Sequence, residues 1–212
     1  MDFDKFREYI PKILTQSLPG ETSHFKMAPP ERMEIVKNLN IDELQLRKAA
    51  VMMLVYPKNS QSHLVLIVRN SYKGVHSSQI AFPGGKVEPD DFSFEYTALR
   101  ETEEEIGVSK ESIEIIKPFS RVYIPPSNFL VYPFLGYSET EPEFAPSERE
   151  VAAIIELPLD IFLDDSTIVL QSMATSYSES INVPTFKIGE HYVWGATAMM
   201  LSELKDVLKS VF

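Results

Sequence analysis

Phe82-Pro83-Gly84-Gly85-Lys86 is followed further along by Arg100-Glu101-Thr102-Glu103-Glu104-Glu105-Ile106-Gly107-Val108. A glycine loop thus precedes a run of glutamates with helical spacing. Residues four apart on a helix lie one above the other, so Glu101 and Glu105 share a face, with Glu104 flanking it. Carboxylates this close repel by about as much as a good ion pair gains. A cation in the gap relieves that repulsion, and hard divalent ions prefer carboxylate and water oxygens. The stretch therefore reads as a helix built to hold Mg²⁺ or Mn²⁺.

The limits of the helix are legible. Pro89-Asp90-Asp91 is turn chemistry, with Asp91 or Ser93 as the N-cap, and Gly107 is a C-terminal stop. Leu99, Thr102 and Ile106 form the inward stripe, which leaves the glutamates on other faces. Taken alone, Glu-Thr-Glu-Glu-Glu is the composition of a solvated helix surface. The upstream Phe-Pro-Gly-Gly and the Arg-Glu start tip the reading toward chemistry. Gly84 and Gly85 let the backbone approach a ligand closely, and Lys86 then reaches a phosphate.

These residues resemble the Nudix box, G-x5-E-x7-R-E-U-x-E-E-x-G-U with U a bulky aliphatic. Gly85, Arg100-Glu101, Glu104-Glu105 and Gly107-Val108 fit it. Asp91 stands in place of the first glutamate, with one extra residue before Arg100, and Thr102 stands where an aliphatic is usual. Gly84-Gly85-Lys86, Asp91 and Thr97-Ala98-Leu99-Arg100-Glu101 together are similar to the coenzyme A diphosphatase branch. A second motif of that branch, L-L-x-x-R-S-x-x-x-x-x-H-x-G-Q-x-x-F-P-G-G, is matched from Leu66 through Arg69, Ser71, His76 and Gln79 to Gly85, with Ser78 replacing a glycine. Weaker echoes occur at Leu18-Pro19-Gly20, Ile124 to Asn128 and Trp194 to Ala198.

The resemblance implies an α/β fold, a Nudix-like α/β/α sandwich with a mixed β-sheet. It implies metal-dependent hydrolysis of the diphosphate of coenzyme A or a derivative, giving 4′-phosphopantetheine and adenosine 3′,5′-bisphosphate. Glu101, Glu104 and Glu105 would hold Mg²⁺ or Mn²⁺, and Arg100 would orient a neighbouring carboxylate. Arg69, Lys73, His76, Gln79, Gly84, Gly85 and Lys86 would contact substrate. Of these, Arg69, Lys73 and His76, two cations and an imidazole, suit the 3′-phosphate of coenzyme A, without fixing which side chain touches it. A further glutamate, as ligand or base, is expected from a loop after the box, where Glu148 and Glu150 both qualify. The alternatives are hydrolysis of another nucleoside diphosphate derivative, such as NADH or ADP-ribose, and a non-catalytic Nudix-like binding domain.

Composition narrows the classes further. A chain of 212 residues is expected to be one domain, with an N-terminal helix and linker to about residue 45. There are no cysteines, hence no disulfides and no thiolate metal sites. No His-x-x-x-His spacing supports a zinc hydrolase. The formal charge of −11 argues against a nucleic-acid partner. The start of the chain does not read as a signal peptide, and no apolar run is long enough for a membrane span. A cytoplasmic protein acting on a small diphosphate is expected, with a homodimer as one open assembly state.

Periodicity supplies the remaining elements. Phe3, Phe6, Ile10 and Ile13 predict an N-terminal helix, and Leu18 to Pro30 a turn-rich linker. Ala50–Tyr56 and His63–Arg69 predict a hairpin at the heart of the sheet, joined by a turn at Lys58 to Gln61. Strands are expected at Ile113–Ile116, Arg121–Ile124, Leu130–Tyr137 and from Ala153 to Leu157, with a short helix at Asp160–Phe162. Ile168–Met173 and Pro184–Ile188 predict a β-arm, joined by a polar segment from Ala174 to Asn182. Ala198, Leu201, Leu204, Leu208 and Val211 predict a last helix. His191 and Trp194 read as packing residues.

Overall fold

The computed structural model describes residues 1–29, 32–33, 45–70, 79–173 and 181–212. Lys73 and His76 lie outside the described residues, as do Ser71, Ser78, residues 30–31 and 34–44 of the expected N-terminal linker, and most of the Ser-rich connection after Met173.

The expected hairpin forms from β1 (Arg47–Lys58) and β2 (Gln61–Arg69). Asn59 and Ser60 both take positive φ, 49° and 62°, as a two-residue hairpin turn requires. The two strands pair only near this turn, from Val55↔Leu64 to Lys58↔Gln61. Beyond it they part. β4 (Gly84–Lys86) pairs with β1, while β3 (Ile80–Ala81) and β8 (Val151–Pro158) pair with β2. The opening between the strands places the glycine loop inside the sheet.

On its other side β1 runs parallel to β7 (Phe129–Tyr137), from Arg47↔Phe129 to Val55↔Tyr137. β5 (Glu114–Pro118) and β6 (Val122–Ile124) pair antiparallel with β7. The eight-stranded sheet is therefore mixed, as expected. A three-stranded sheet of β9 (Ile168–Met173), β10 (Ile181–Ile188) and β11 (His191–Val193) forms the arm.

Side chains of β1 alternate between two cores, as the pleat dictates. Ala50, Met52, Leu54 and Tyr56 pack with Ala98 and Ile106 of α3 (Phe94–Ile106), the helix of the glutamates. Met53 and Val55 face the other way, onto a core shared with α1 (Phe3–Thr15) and α5 (Gly195–Val211). Helices on both faces of a mixed sheet make the α/β/α sandwich.

The linker from Leu18 is not merely turn-rich. It holds α2 (Glu21–His24) and a 3₁₀ turn over Phe25–Met27, packed on α5. The reason is a buried carboxylate. Glu203 of α5 is fully buried and accepts from Gly20 N (2.8 Å), Ser120 Oγ (2.5 Å) and Ser120 N (3.0 Å), with His24 Nε2 at 3.3 Å. Burial pushes its pKa up, but these partners outweigh burial and leave it below the usual carboxylate value. Periodicity could not announce this, because Glu203 lies among apolar positions of a helix enclosed on more than one side. α4 (Leu159–Leu163) is the expected short helix. Among the described residues, no helix is long and apolar enough to cross a membrane.

Candidate active site

α3 begins at Ser93, whose hydroxyl accepts from Tyr96 N at 3.0 Å, so Ser93 rather than Asp91 is the N-cap. Gly107 ends the helix in the left-handed region, with φ 74°. Asp91 has another task. Its carboxylate takes both arms of the Arg100 fork, Nε at 2.9 Å and Nη2 at 2.9 Å, and accepts from Thr97 Oγ1 at 2.8 Å. The Asp91 side chain is buried, and the Arg100 bonds hold its pKa well below the usual carboxylate range. Arg100 Nη1 also reaches Glu101 Oε1 at 3.0 Å and Glu104 Oε2 at 3.1 Å. One guanidinium thus binds three carboxylates and fixes where two of the box glutamates stand.

The glutamates do not all lie on free faces. Glu105 is 1 % exposed and points beneath the glycine loop. Its Oε2 accepts from Gly84 N at 2.8 Å. Its Oε1 stands 3.0 Å from Arg69 Nη1 without the alignment of a hydrogen bond, and this buried oxygen has no hydrogen-bond partner. Burial pushes the Glu105 pKa up to about 7, against the pull of Arg69 and Gly84, and the charges of Glu101 and Glu150 push the same way. Burial also raises the pKa of Glu101, opposed by Arg100 and assisted by Glu104 and Glu150.

The glycines make room for this. Gly84 has φ 151°, and a Cβ there would collide with the Ala50 carbonyl oxygen and with Val51. Gly85 is needed for space, since a Cβ would fall on the Glu101 carboxylate. The β2–β8 pairing shifts register between Val68 and Arg69, next to the site.

Glu101, Glu104 and Glu105 offer the hard oxygen donors that suit Mg²⁺ or Mn²⁺, and the orphaned Oε1 of Glu105 fits such a group. As the side chains stand, no three acidic or histidine residues among those described converge closely enough to hold an ion. Arg100 engages Glu101 and Glu104 through one guanidinium nitrogen. The loop after the box contributes unequally. Glu150 is exposed, and its charge acts on both Glu101 and Glu105. Glu148 is exposed too, and its backbone carbonyl accepts from Asn70 Nδ2 at 2.7 Å.

Beside the carboxylates is a cavity of about 320 Å³, bordered by Arg47, Arg69, Gly84, Gly85, Lys86 and Phe129. The Arg47 guanidinium lies 4.1 Å from the centre of the Phe129 ring. A second cavity, of about 200 Å³, shares Val51, Arg69, Ile124 and Val131 with the first and continues to Gln79 and Trp194. The reading from sequence missed Arg47 and gave Trp194 only a packing role. Arg47 precedes an apolar strand, and only its parallel pairing with Phe129 brings it to the cleft. Trp194 is half-buried along that cleft, and His191 is exposed.

Comparison with known proteins agrees with this geometry. The NUDIX domain model matches residues 46–172. The chain is 33% identical over 168 residues to a protein of Enterobacter sp. (strain 638) named uncharacterized Nudix hydrolase NudL, covering 77% of this chain and 83% of that one. It is 32% identical over 188 residues to the Citrobacter koseri protein of the same name, covering 86% and 90%. In fold, it superposes on a Nudix hydrolase from M. smegmatis, RenU, with a TM-score of 0.53 at 15% identity, over 78% of this chain and 88% of that one. A MutT protein from Methanosarcina mazei Go1 gives a TM-score of 0.52 at 15% identity, over 79% and 99%. With the box on its helix and the family match spanning the sheet around it, the chain belongs to the Nudix family of hydrolases, which act on nucleoside diphosphate derivatives and generally use divalent metal ions.

Proposed function

We propose that the protein hydrolyses the diphosphate of coenzyme A or a derivative, releasing 4′-phosphopantetheine and adenosine 3′,5′-bisphosphate. One observation carries the reading. Arg69, from the motif that precedes the box, stands beside Glu105 and borders the same cleft as Gly84, Gly85 and Lys86. Arg69, a described residue of the motif that resembles coenzyme A recognition, therefore stands next to the box carboxylates.

In this reading Glu101 and Glu105, with Glu104, hold Mg²⁺ or Mn²⁺. A bound divalent ion supplies charge neutralisation at the diphosphate oxygens and acidifies water. The chain's own residues do the rest. Arg100, fixed by Asp91, orients Glu101 and Glu104. The Gly84–Gly85 backbone lets the diphosphate approach the carboxylates without a Cβ between them. Arg69, Arg47 and Lys86 give a locally cationic wall in a chain of net charge −11. Glu150, whose charge acts on Glu101 and Glu105, would take the proton of the attacking water on its carboxylate.

A substrate panel tests the proposal. Coenzyme A should be cleaved with higher kcat/KM than dephospho-coenzyme A, which lacks only the 3′-phosphate. Removing a charge-assisted hydrogen bond to that phosphate costs roughly 1.5–3 kcal/mol, about one to two orders of magnitude in kcat/KM. Equal efficiency on both removes 3′-phosphate recognition. Faster cleavage of ADP-ribose or NADH assigns the protein another substrate.

A further inference from the structure

The cleft beside the carboxylates has two unlike ends. One carries Arg47 and Lys86, neither of which has an ion-pair partner among the described residues. The other end, the cavity of about 200 Å³, is walled by Ile80, Ile124, Trp194, Ala196 and Met200 together with Arg32 and Arg69, so the ends differ in their unpaired charge. The two meet at Val51, Arg69, Ile124 and Val131, next to the glycine loop. The cations of the apolar end are already engaged. Arg32 Nη2 donates to the Tyr123 carbonyl at 2.5 Å, and Arg69 pairs with Glu105. An added anion gains less there than beside Arg47 and Lys86, whereas an apolar group gains by leaving water.

We infer that the Trp194 end of the cleft is the subsite for the non-nucleotide arm of the substrate, an alkyl chain carrying amide groups, and that this fixes the direction in which the diphosphate lies. The inference rests on the coenzyme A reading, where that arm is pantetheine. The phosphorylated nucleoside then lies toward Arg47 and Lys86. A diphosphate with one strongly anionic arm and one alkyl-amide arm matches a cleft whose ends differ in the same way.

Inhibition by the two products separates the ends. Hydrolysis of coenzyme A with Mg²⁺ is followed in the presence of 4′-phosphopantetheine or adenosine 3′,5′-bisphosphate, for the wild type and for Ala196→Leu. Ala196 is half-buried and borders the chamber, so leucine fills it. The inhibition constant of 4′-phosphopantetheine should rise about tenfold, the cost in affinity of one to two buried methylene groups, with that of the nucleotide changed less than about twofold. Trp194→Ala, which removes a wall instead of filling space, should weaken the same inhibitor, so a misfolded leucine variant, detected by a thermal melt, leaves the idea testable. A rise confined to adenosine 3′,5′-bisphosphate reverses the orientation and overturns the inference. No change for either product in either variant places the chamber outside the binding site. Failure of the wild type to hydrolyse coenzyme A removes the coenzyme A reading itself, and this inference with it.

Discussion

Arg100 and Asp91 set the geometry of the site at the scale of single residues. A carboxylate that takes two arms of a guanidinium cannot be replaced by an amide without leaving a buried charge poorly paired. Asp91→Asn should therefore destabilise the protein by roughly 3 kcal/mol, the scale for breaking one side of a buried pair. It should also lower kcat, because Glu101 and Glu104 lose their fixed partner. A denaturant titration and a turnover assay check both effects. Retention of both stability and kcat would remove the orienting role. Lysine at position 100 cannot supply the fork, so Arg100→Lys should resemble Asp91→Asn rather than the wild type. Glu105→Gln behaves differently. The glutamine carbonyl still accepts from Gly84 N, and a buried charge disappears, so the melting temperature should hold or rise. Activity should fall by about two orders of magnitude or more if the carboxylate serves the reaction. A strongly destabilised Glu105→Gln protein would instead assign the residue to structure.

Two elements show how spacing and tertiary contact divide the information. The glycine loop tests the first. Gly84→Ala meets backbone, so the β1–β4 pairing must shift and the melting temperature should fall. Gly85→Ala meets only the end of the Glu101 side chain, so it should cost activity with little loss of stability. Equal destabilisation by both substitutions would contradict this division. The second element is the linker clasped by Glu203. Its carboxylate has a pKa below the unfolded value, so the folded state binds fewer protons. Its stabilisation is thus present above the ordinary carboxylate range and fades as pH falls through the lowered value. Glu203→Gln should lose stability at neutral pH, with the gap to wild type narrowing in acid. Melting curves from neutral to acidic pH measure that gap, and a gap that is constant with pH would argue against an ionised Glu203. The box helix and the β1–β2 hairpin were legible in the sequence because local periodicity and turn chemistry specify them. α2 was not, since donors far apart in sequence, Gly20, His24 and Ser120, hold it to a glutamate whose burial no local pattern reveals. The inward stripe of α3 was likewise incomplete, because Glu105 belongs to the buried face once the glycine loop covers it.

For the molecule as a whole, the sheet brings together residues that the sequence keeps apart. Arg47 enters through β1, Phe129 through its parallel partner β7, Arg69 through the end of β2, and Trp194 at the start of α5. Their types could be read from the sequence, but their convergence depends on register and on the opening between β1 and β2. The carboxylates likewise act as one group. Mg²⁺ or Mn²⁺ should raise the melting temperature by mass action, with a stabilisation of about 2.7 kcal/mol at one hundred times the dissociation constant. The rise should be absent from the double variant Glu101→Gln, Glu105→Gln, and an equal rise in both proteins would place the ions elsewhere. The most direct measurement combines substrate and site: chromatographic separation of the products formed from coenzyme A with Mg²⁺ by the wild type and by Glu105→Gln. The expected result is 4′-phosphopantetheine and adenosine 3′,5′-bisphosphate in equal amounts from the wild type and almost none from the variant. Intact coenzyme A, other products, or equal turnover by Glu105→Gln would contradict it.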